Sequence, residues 1–169
     1  SAMFRKMFGG ENFFLGKYEH PDGGNLTFAP SIPGSVEHYN LSNNQLNIMA
    51  GAFLACTPGV NIKAKFGGLK ALFSGEGAFL LEASGEGDIF FNSFGGIIEK
   101  EINGEFIVDT GHIVAFEPSL NYKISGMGNW KSTMLSGEGL VMTFNGTGKI
   151  YLQTRTIDGI ASWLTPRLM

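Results

Sequence analysis

The sequence predicts an all-β domain assembled from copies of one small antiparallel sheet unit. Three observations carry that prediction. Apolar runs of four to eight residues, rich in Phe, Ile, Val and Leu, are punctuated by Gly, Asn and Pro, the spacing of short strands joined by tight turns. Glycine accounts for 25 of 169 residues, roughly twice the usual share of about 7%, without a collagen period. A Gly-Glu phrase occurs three times, in "MFGGENFF", "LFSGEGAFL" and "MLSGEGLVM", which sets Gly10, Gly75 and Gly137 in register, separated by 65 and then 62 residues.

Two segments alternate cleanly. "VNIKAK" puts Val60, Ile62 and Ala64 on one face and Asn61, Lys63 and Lys65 on the other. "LNYKIS" does the same with Leu120, Tyr122 and Ile124 against Asn121, Lys123 and Ser125. Period two is the signature of a half-buried strand. Each segment follows a proline at equal distance, Pro58 and Pro118, sixty residues apart. The match extends over "QLNIMAGAFLACTPGVNIKA" and "EFIVDTGHIVAFEPSLNYKI", with Gly51 over Gly111. "GNLTFA" near Gly24, "GDIFFN" near Gly87 and "GKIYLQ" near Gly148 are expected to be three versions of one strand. The units are therefore about 60 residues, longer than the roughly 20–50 of solenoid repeats. One domain over 1–169 is expected, with pseudo-repeats at about 7–71 and 72–133, a partial one at 134–157 and a tail at 158–169.

Helix is scarce. "DGIASWLTPRLM" is the one candidate, with Asp158 as N-cap, Ile160, Trp163 and Leu164 at helical spacing, and Pro166 ending it. "MFRKMF" before Gly9 matches "GLKALF" before Ser74, so the first residues read as part of the repeat, with a partner strand expected upstream. A vector origin for Ser1 and Ala2 is the other reading.

Hydrophobic residues make up 43% of the chain and charged residues only 16%, with a net charge of −3. The core is easily filled. Nucleic-acid binding draws on phosphate neutralisation by Lys and Arg, and no basic tract is present, so no nucleic-acid partner is expected. The single cysteine, Cys56, excludes an internal disulfide and fits a reducing compartment. No apolar run approaches the roughly 20 residues that span a bilayer, and "SAMFRKMFGG" lacks the apolar stretch of a signal peptide. A cytoplasmic location is expected.

The segments "FLACTPGVNIKAKFGGLKALFSGEGAFLLEASGEG", "DTGHIVAFEPSLNYKI" and "SGEGLVMTFNGTGKIYLQTR" resemble the altered-inheritance-of-mitochondria (twenty-fourth locus) family, in its uncharacterised bacterial branch. The resemblance runs from about Arg5 to Leu164. It implies a fold similar to the tryptophan RNA-binding attenuator protein: a duplicated antiparallel β-sandwich of the double-stranded β-helix kind. It implies no enzyme activity. The association of its fungal members with mitochondrial inner-membrane organisation suggests a scaffold role by analogy. The attenuator protein's tryptophan and RNA sites have no matching motif here.

Glu11, Glu76 and Glu138 share one repeat position. Their functional reading is a carboxylate ring around a pseudo-symmetry axis, able to hold a hard cation such as Ca²⁺. The preferred reading is structural. Each Glu flanks a turn enabled by Gly10, Gly75 or Gly137, and copied units copy their structural residues. Gly51 and Gly111 are likewise assigned to structural turns. A catalytic metal in such a sandwich needs two adjacent histidines and a carboxylate, and His20, His38 and His112 are dispersed. His112 replaces the Ala52 of the other unit, a mild functional hint, but a satisfied or exposed histidine is the preferred reading. Cys56 aligns with Phe116, an apolar position, so a buried, inert thiol is expected. No Gly-x-Ser-x-Gly elbow occurs. "GTGK" at Gly146–Lys149 lacks P-loop spacing, and "GEGDIF" and "GEGAFL" lack the third glycine of a dinucleotide fingerprint. All three read as hairpin glycines.

No catalytic residue and no cofactor are assigned. "MFRKMF" and "IASWLTPRLM" place large apolar side chains at the termini, which points to an interface. Closure into a trimer or ring of identical copies is expected. Membrane-surface contact is the weaker outlet, since only Arg5 and Lys6 would attract it. The chain is thus expected to be a non-enzymatic, self-associating scaffold or interaction protein. The alternative is a small-ligand or metal-ion module using the sandwich interior or a subunit interface.

Overall fold

The computed structural model describes residues 15–66, 79–126 and 140–168. The Gly-Glu pairs of the three phrases, Gly10 and Glu11, Gly75 and Glu76, Gly137 and Glu138, lie outside the described residues, as does "MFRKMF". Among these residues eight strands and one short helix follow in order: β1 (Val36–Met49), β2 (Phe53–Cys56), β3 (Val60–Phe66), β4 (Phe79–Asn92), β5 (Ile97–Asp109), β6 (Ile113–Phe116), β7 (Asn121–Gly126), β8 (Leu140–Gln153) and α1 (Ile157–Leu164). The strands pair antiparallel. The all-β antiparallel class with one short C-terminal helix, expected from sequence, is the class observed.

Two long strands organise the rest. β4 pairs with β1 along one edge, from Val36↔Asn92 to Met49↔Leu80. Its other edge is shared: β3 takes the first part, Val60↔Gly85 to Phe66↔Phe79, and β2 takes the last, through Cys56↔Ile89. β8 is used in the same way, with β5 on one edge and β7 and then β6 on the other. The sheet order is β2-β4-β1-β6-β8-β5, with β3 and β7 beside β4 and β8.

Where β4 exchanges β3 for β2, the turn between those strands crosses directly over its backbone. A Cβ on Gly85 would lie 2.3 Å from the Gly59 carbonyl oxygen, and one on Gly87 would lie 2.6 Å from Thr57 Oγ1. Both glycines have positive φ, 108° and 145°. In β8, Gly146 (φ 129°) and Gly148 sit against Ser119 in the same way, where a Cβ would lie 2.9 Å from its carbonyl oxygen or 2.4 Å from its Oγ. The glycines of "GEGDIF" and "GTGK" are therefore mid-strand residues under a crossing turn, and not hairpin glycines as the sequence suggested. Glycine serves close backbone approach as well as turns, and spacing alone does not separate the two uses. The turns are tied down in parallel fashion. Thr57 N–H donates to the Asp88 carbonyl (2.9 Å), and Asp88 N–H donates to Thr57 Oγ1 (2.8 Å). Glu117 N–H donates to the Lys149 carbonyl (3.0 Å), and Lys149 N–H donates to Glu117 Oε2 (2.9 Å).

The elements β1 to β4 and β5 to β8 thus run in one order. Met49 and Asp109 end their strands sixty residues apart, and each is followed by a three-residue 3₁₀ turn, Ala50–Ala52 or Thr110–His112. Val36 and Ile97, which begin those strands, are sixty-one apart. The extra residue of β1 is a bulge: Asn43 and Asn44 stand between Ser42↔Glu86 and Gln45↔Ser84, opposite Gly85 alone. Asn43 takes a positive φ of 59° there, which Asn tolerates better than most residues.

Alternation sorts the faces as expected in β3, where Ile62 is buried and Asn61, Lys63 and Lys65 are exposed. Leu46, Ile48, Leu81, Ile89 and Phe91 lead one apolar cluster, and Phe116, Phe144, Ile150 and Leu120 lead the other. The clusters interlock, because Val114 and Tyr151 enter the first and Leu80 the second. Phe116 meets Phe144 edge-on at 5.0 Å, and Phe91 meets Tyr151 at 5.2 Å. Each such ring contributes about 2–3 kcal/mol by leaving water.

Two local expectations are corrected. Asn25–Ala29 is not a strand and is exposed throughout. β4 and β8 are held by the strands of their own series, and no described strand lies beside Asn25–Ala29 to take its backbone groups. The helix α1 is capped by Thr156, whose side chain accepts from Gly159 N–H (3.0 Å), while Asp158 sits within its first turn. Both residues are good caps. The extended backbone of Thr156 decides between them.

The two kinds of glycine should separate in a stability measurement. Gly85→Ala meets both a positive φ and a backbone oxygen, and is expected to cost at least ~2 kcal/mol. Gly51 has open space around it and no positive φ, so Gly51→Ala should stay within ~0.5 kcal/mol of the parent in a denaturant melt. Equal effects would contradict the crossing-turn account.

Candidate interaction surface

Strands β2 and β5 are the two ends of the sheet order, and each is paired on one edge alone among the described residues. A free edge presents a row of unpaired N–H and C=O groups. On β5, Ile98 and Ile107 are exposed large apolar side chains, Ile107 at 57%. Between them stand Glu99, Lys100, Glu101 and Glu105, all exposed. On β2, all four residues of "FLAC" are half-buried.

The joint between the two series is short. β1 meets β6 through Asn47↔Phe116 and Ile48↔Ala115. Beside it opens a shallow depression of about 280 Å³, lined by Asn47, Lys65 and Leu80 from the first series and Pro118, Leu120, Asn121 and Tyr122 from the second. The helix α1 buries none of its residues, and Ile157, Trp163 and Leu164 are exposed on it, with Leu168 just beyond. Arg167 lies over the Trp163 ring, 4.2 Å from its centroid.

Two polar clusters flank the sheet. His38 Nε2 donates to Asp88 Oδ1 (2.7 Å), Asn40 Nδ2 donates to the same oxygen (3.1 Å), and the His38 ring stacks on Phe90. The His38 hydrogen bond, with that of Asn40, holds the Asp88 carboxyl below the ordinary aspartate value. In the second cluster Lys149 Nζ pairs with Glu99 Oε1 at 2.7 Å. That contact lowers the Glu99 carboxyl and raises the Lys149 ammonium. Burial pushes the Tyr151 phenol well up, and the Glu99 charge adds to it. Burial raises Tyr39 too, with Glu117 contributing. These contacts tie β1 to β4 and β5 to β8.

The sequence-predicted residues fall as follows. Glu11, Glu76 and Glu138 lie outside the described residues, with Gly10, Gly75 and Gly137. Gly51 and Gly111 occupy equivalent 3₁₀ turns. His20 accepts from Asp22 N–H (3.3 Å) in a loop. His112 Nδ1 donates to the Gln153 carbonyl (2.7 Å), and Gln153 Nε2 returns a bond to the Gly111 carbonyl (2.7 Å). His112 is thus satisfied by its own fold. Among the described residues no three His, Cys, Asp or Glu side chains gather as a metal group. Cys56 is half-buried, and burial raises its thiol. The exposed edge residue Ile107 was missed by sequence reasoning. Its signal was the unbroken "FIV" in a strand that otherwise places charges outward. No described helix is long and apolar enough to cross a membrane.

Among the described residues, fold and surface together define an antiparallel β protein whose sheet ends in unpaired, partly apolar edges and which groups no metal ligands. The chain belongs to the mitochondrial biogenesis AIM24 family, whose family model matches residues 1–155. It is 32% identical over 166 residues to an uncharacterised protein of Streptococcus pyogenes serotype M6, an alignment covering 96% of this chain and 67% of that protein. It is similar to the X-ray crystal structure of a Streptococcus pyogenes protein, with a TM-score of 0.72 and 31% identity, covering 82% of this chain. The chain spans 62% of the length of that crystallised relative.

The depressed Asp88 carboxyl contributes stability above the ordinary aspartate range, and that contribution is lost as pH falls through the lowered value. His38→Ala is expected to move Asp88 upward toward about 3.9, read from its carboxyl ¹³C shift against pH. An unmoved Asp88 would assign the effect to Asn40 alone.

Proposed function

We propose that this chain is a non-catalytic, self-associating scaffold or interaction protein. The observation that carries the reading is that both ends of the eight-strand sheet are unpaired among the described residues while bearing apolar side chains. Natural proteins cover or blunt such edges, and most soluble assemblies are built from identical copies, which makes a second copy of this chain the cover we infer. The exposed apolar side chains of α1 add a second surface of the same character. On this reading β1–β4 and β5–β8 are two copies of one unit, folded as an antiparallel sandwich of the double-stranded β-helix kind. The common element order, the sixty-residue spacing and the parallel turn ties support it. A half-buried lone thiol suits a reducing compartment, and we infer cytoplasmic action.

Light scattering behind gel filtration at micromolar concentration should return a defined mass above that of one chain. A clean monomer would overturn the scaffold reading. A second reading, a small-ligand module, rests on the depression between the two series. It requires a compound that raises the melting temperature through native-state binding, and loses that effect with Tyr122→Ala.

A further inference from the structure

We propose that copies of this chain join head to tail, β5 of one copy adding to β2 of the next in the register already used between β1 and β6. This rests on the self-association reading and specifies its contact. The sheet order consists of two like triplets, β2-β4-β1 and β6-β8-β5, joined at β1–β6. A third triplet would meet this one where β5 or β2 now ends. The internal joint pairs Asn47 with Phe116 and Ile48 with Ala115. Sixty residues after Asn47 and Ile48 stand Ile107 and Val108; sixty before Phe116 and Ala115 stand Cys56 and Ala55. The joint between copies therefore pairs Ile107 with Cys56 and Val108 with Ala55.

Burial singles out the same residues. All four residues of β6 are buried, whereas all four of its counterpart β2 are half-exposed. Asn47 is 6% exposed and Ile48 fully buried, whereas Ile107 is 57% exposed and Val108 half-buried. The positions buried at the internal joint are thus open at the two ends. They are also chemically suited to closure, since Ile107, Val108, Ala55 and Cys56 carry no charge. Flanking positions agree. The counterparts of the residues around the depression are Ile107, Ser125 and Val141 on one copy, with Pro58, Val60, Asn61 and Ile62 on the next. No like charges are brought together there. The remainder of the β5 edge carries Glu99, Lys100, Glu101 and Glu105, which discourage pairing along its length. Only the end of the strand is left for a partner. Because each copy offers one β5 and one β2, the contact is heterologous and propagates, closing a ring where the rotation permits.

The single cysteine provides the test. Directly opposed residues of antiparallel strands lie with Cα atoms about 4.5–5.5 Å apart, within the roughly 4.4–6.8 Å that a disulfide spans. Ile107→Cys should form a disulfide with Cys56 of a neighbouring copy on mild oxidation with diamide. The band on a non-reducing gel should shift from monomer to dimer and larger species, with the 56–107 peptide pair found by mass spectrometry. Ile98→Cys, on the same strand and similarly exposed, should stay at the background level of the parent. Ile107→Asp should reduce the oligomer to monomer while leaving the far-ultraviolet spectrum unchanged. If the parent self-associates and Ile107→Cys yields no 56–107 link, or links within one chain, this joint is wrong while the scaffold reading stands. If the parent is monomeric and no link forms, both fall.

Discussion

A strand hydrogen-bonded along both edges can exchange one neighbour for another only where its own backbone bends and leaves room. That constraint governs this molecule. β4 and β8 each carry three partners, and the exchange on the shared edge falls at Gly85–Asp88 and Gly146–Lys149. At both places a glycine of positive φ and a second glycine two residues on admit the crossing turn. Any Cβ at Gly85 or Gly146 would be driven against a backbone oxygen, 2.3 Å or 2.9 Å away. Without that passage β2 and β3 could not share one edge of β4, and the apolar face they close would stay open.

The two series meet the constraint with different chemistry, which shows what is required and what is free. The crossing turn must be tied to the long strand by an exchanged pair of hydrogen bonds. In the first series a hydroxyl, Thr57, accepts the strand's N–H, and in the second a carboxylate, Glu117, does so. The partner strands must also bend at that level. β1 achieves this with a two-for-one bulge at Asn43 and Asn44, whereas β5 uses Gly104 at φ 108° opposite Gly146, without a bulge. The geometry of the bend is kept while the residues that make it change.

This division explains what could be read from the chain. Strand β3 was legible because burial on one face imposes period two on "VNIKAK". The sixty-residue spacing was legible because turns and apolar positions recur together. The mid-strand glycines were misread, since the demand they answer comes from a turn about thirty residues away in sequence. "GNLTFA" has the composition of a strand yet forms none, because a strand is a property of pairs and no described strand lies beside it as a partner. The cap of α1 went to Thr156 on backbone conformation, which side-chain type does not reveal. Of the candidate site, the acidic triplet lies outside the described residues. His112 proved to be held by Gln153, a long-range partner that no local pattern announces. Ile107 was hidden for the opposite reason: an exposed apolar residue on an edge resembles a core residue in sequence, and the unbroken "FIV" marks the place without saying which of its residues is open.

The smallness of the β1–β6 joint bears on how such a protein holds together. Two opposed residue pairs provide few hydrogen bonds, each contributing only about 1 kcal/mol net. The internal joint is secure because side chains from one series are inserted into the apolar cluster of the other: Val114, Ala115 and Tyr151 into the first, Leu80 into the second. Hydrogen bonding there sets register, and burial supplies the free energy. An edge offering the same ladder with less apolar cover would bind weakly in a single contact. Closure changes that balance, because the last contact of a ring forms between parts already held together, at high effective concentration. The edge contact proposed above, short, apolar and flanked by charges, would therefore suit a closed assembly better than an isolated pair.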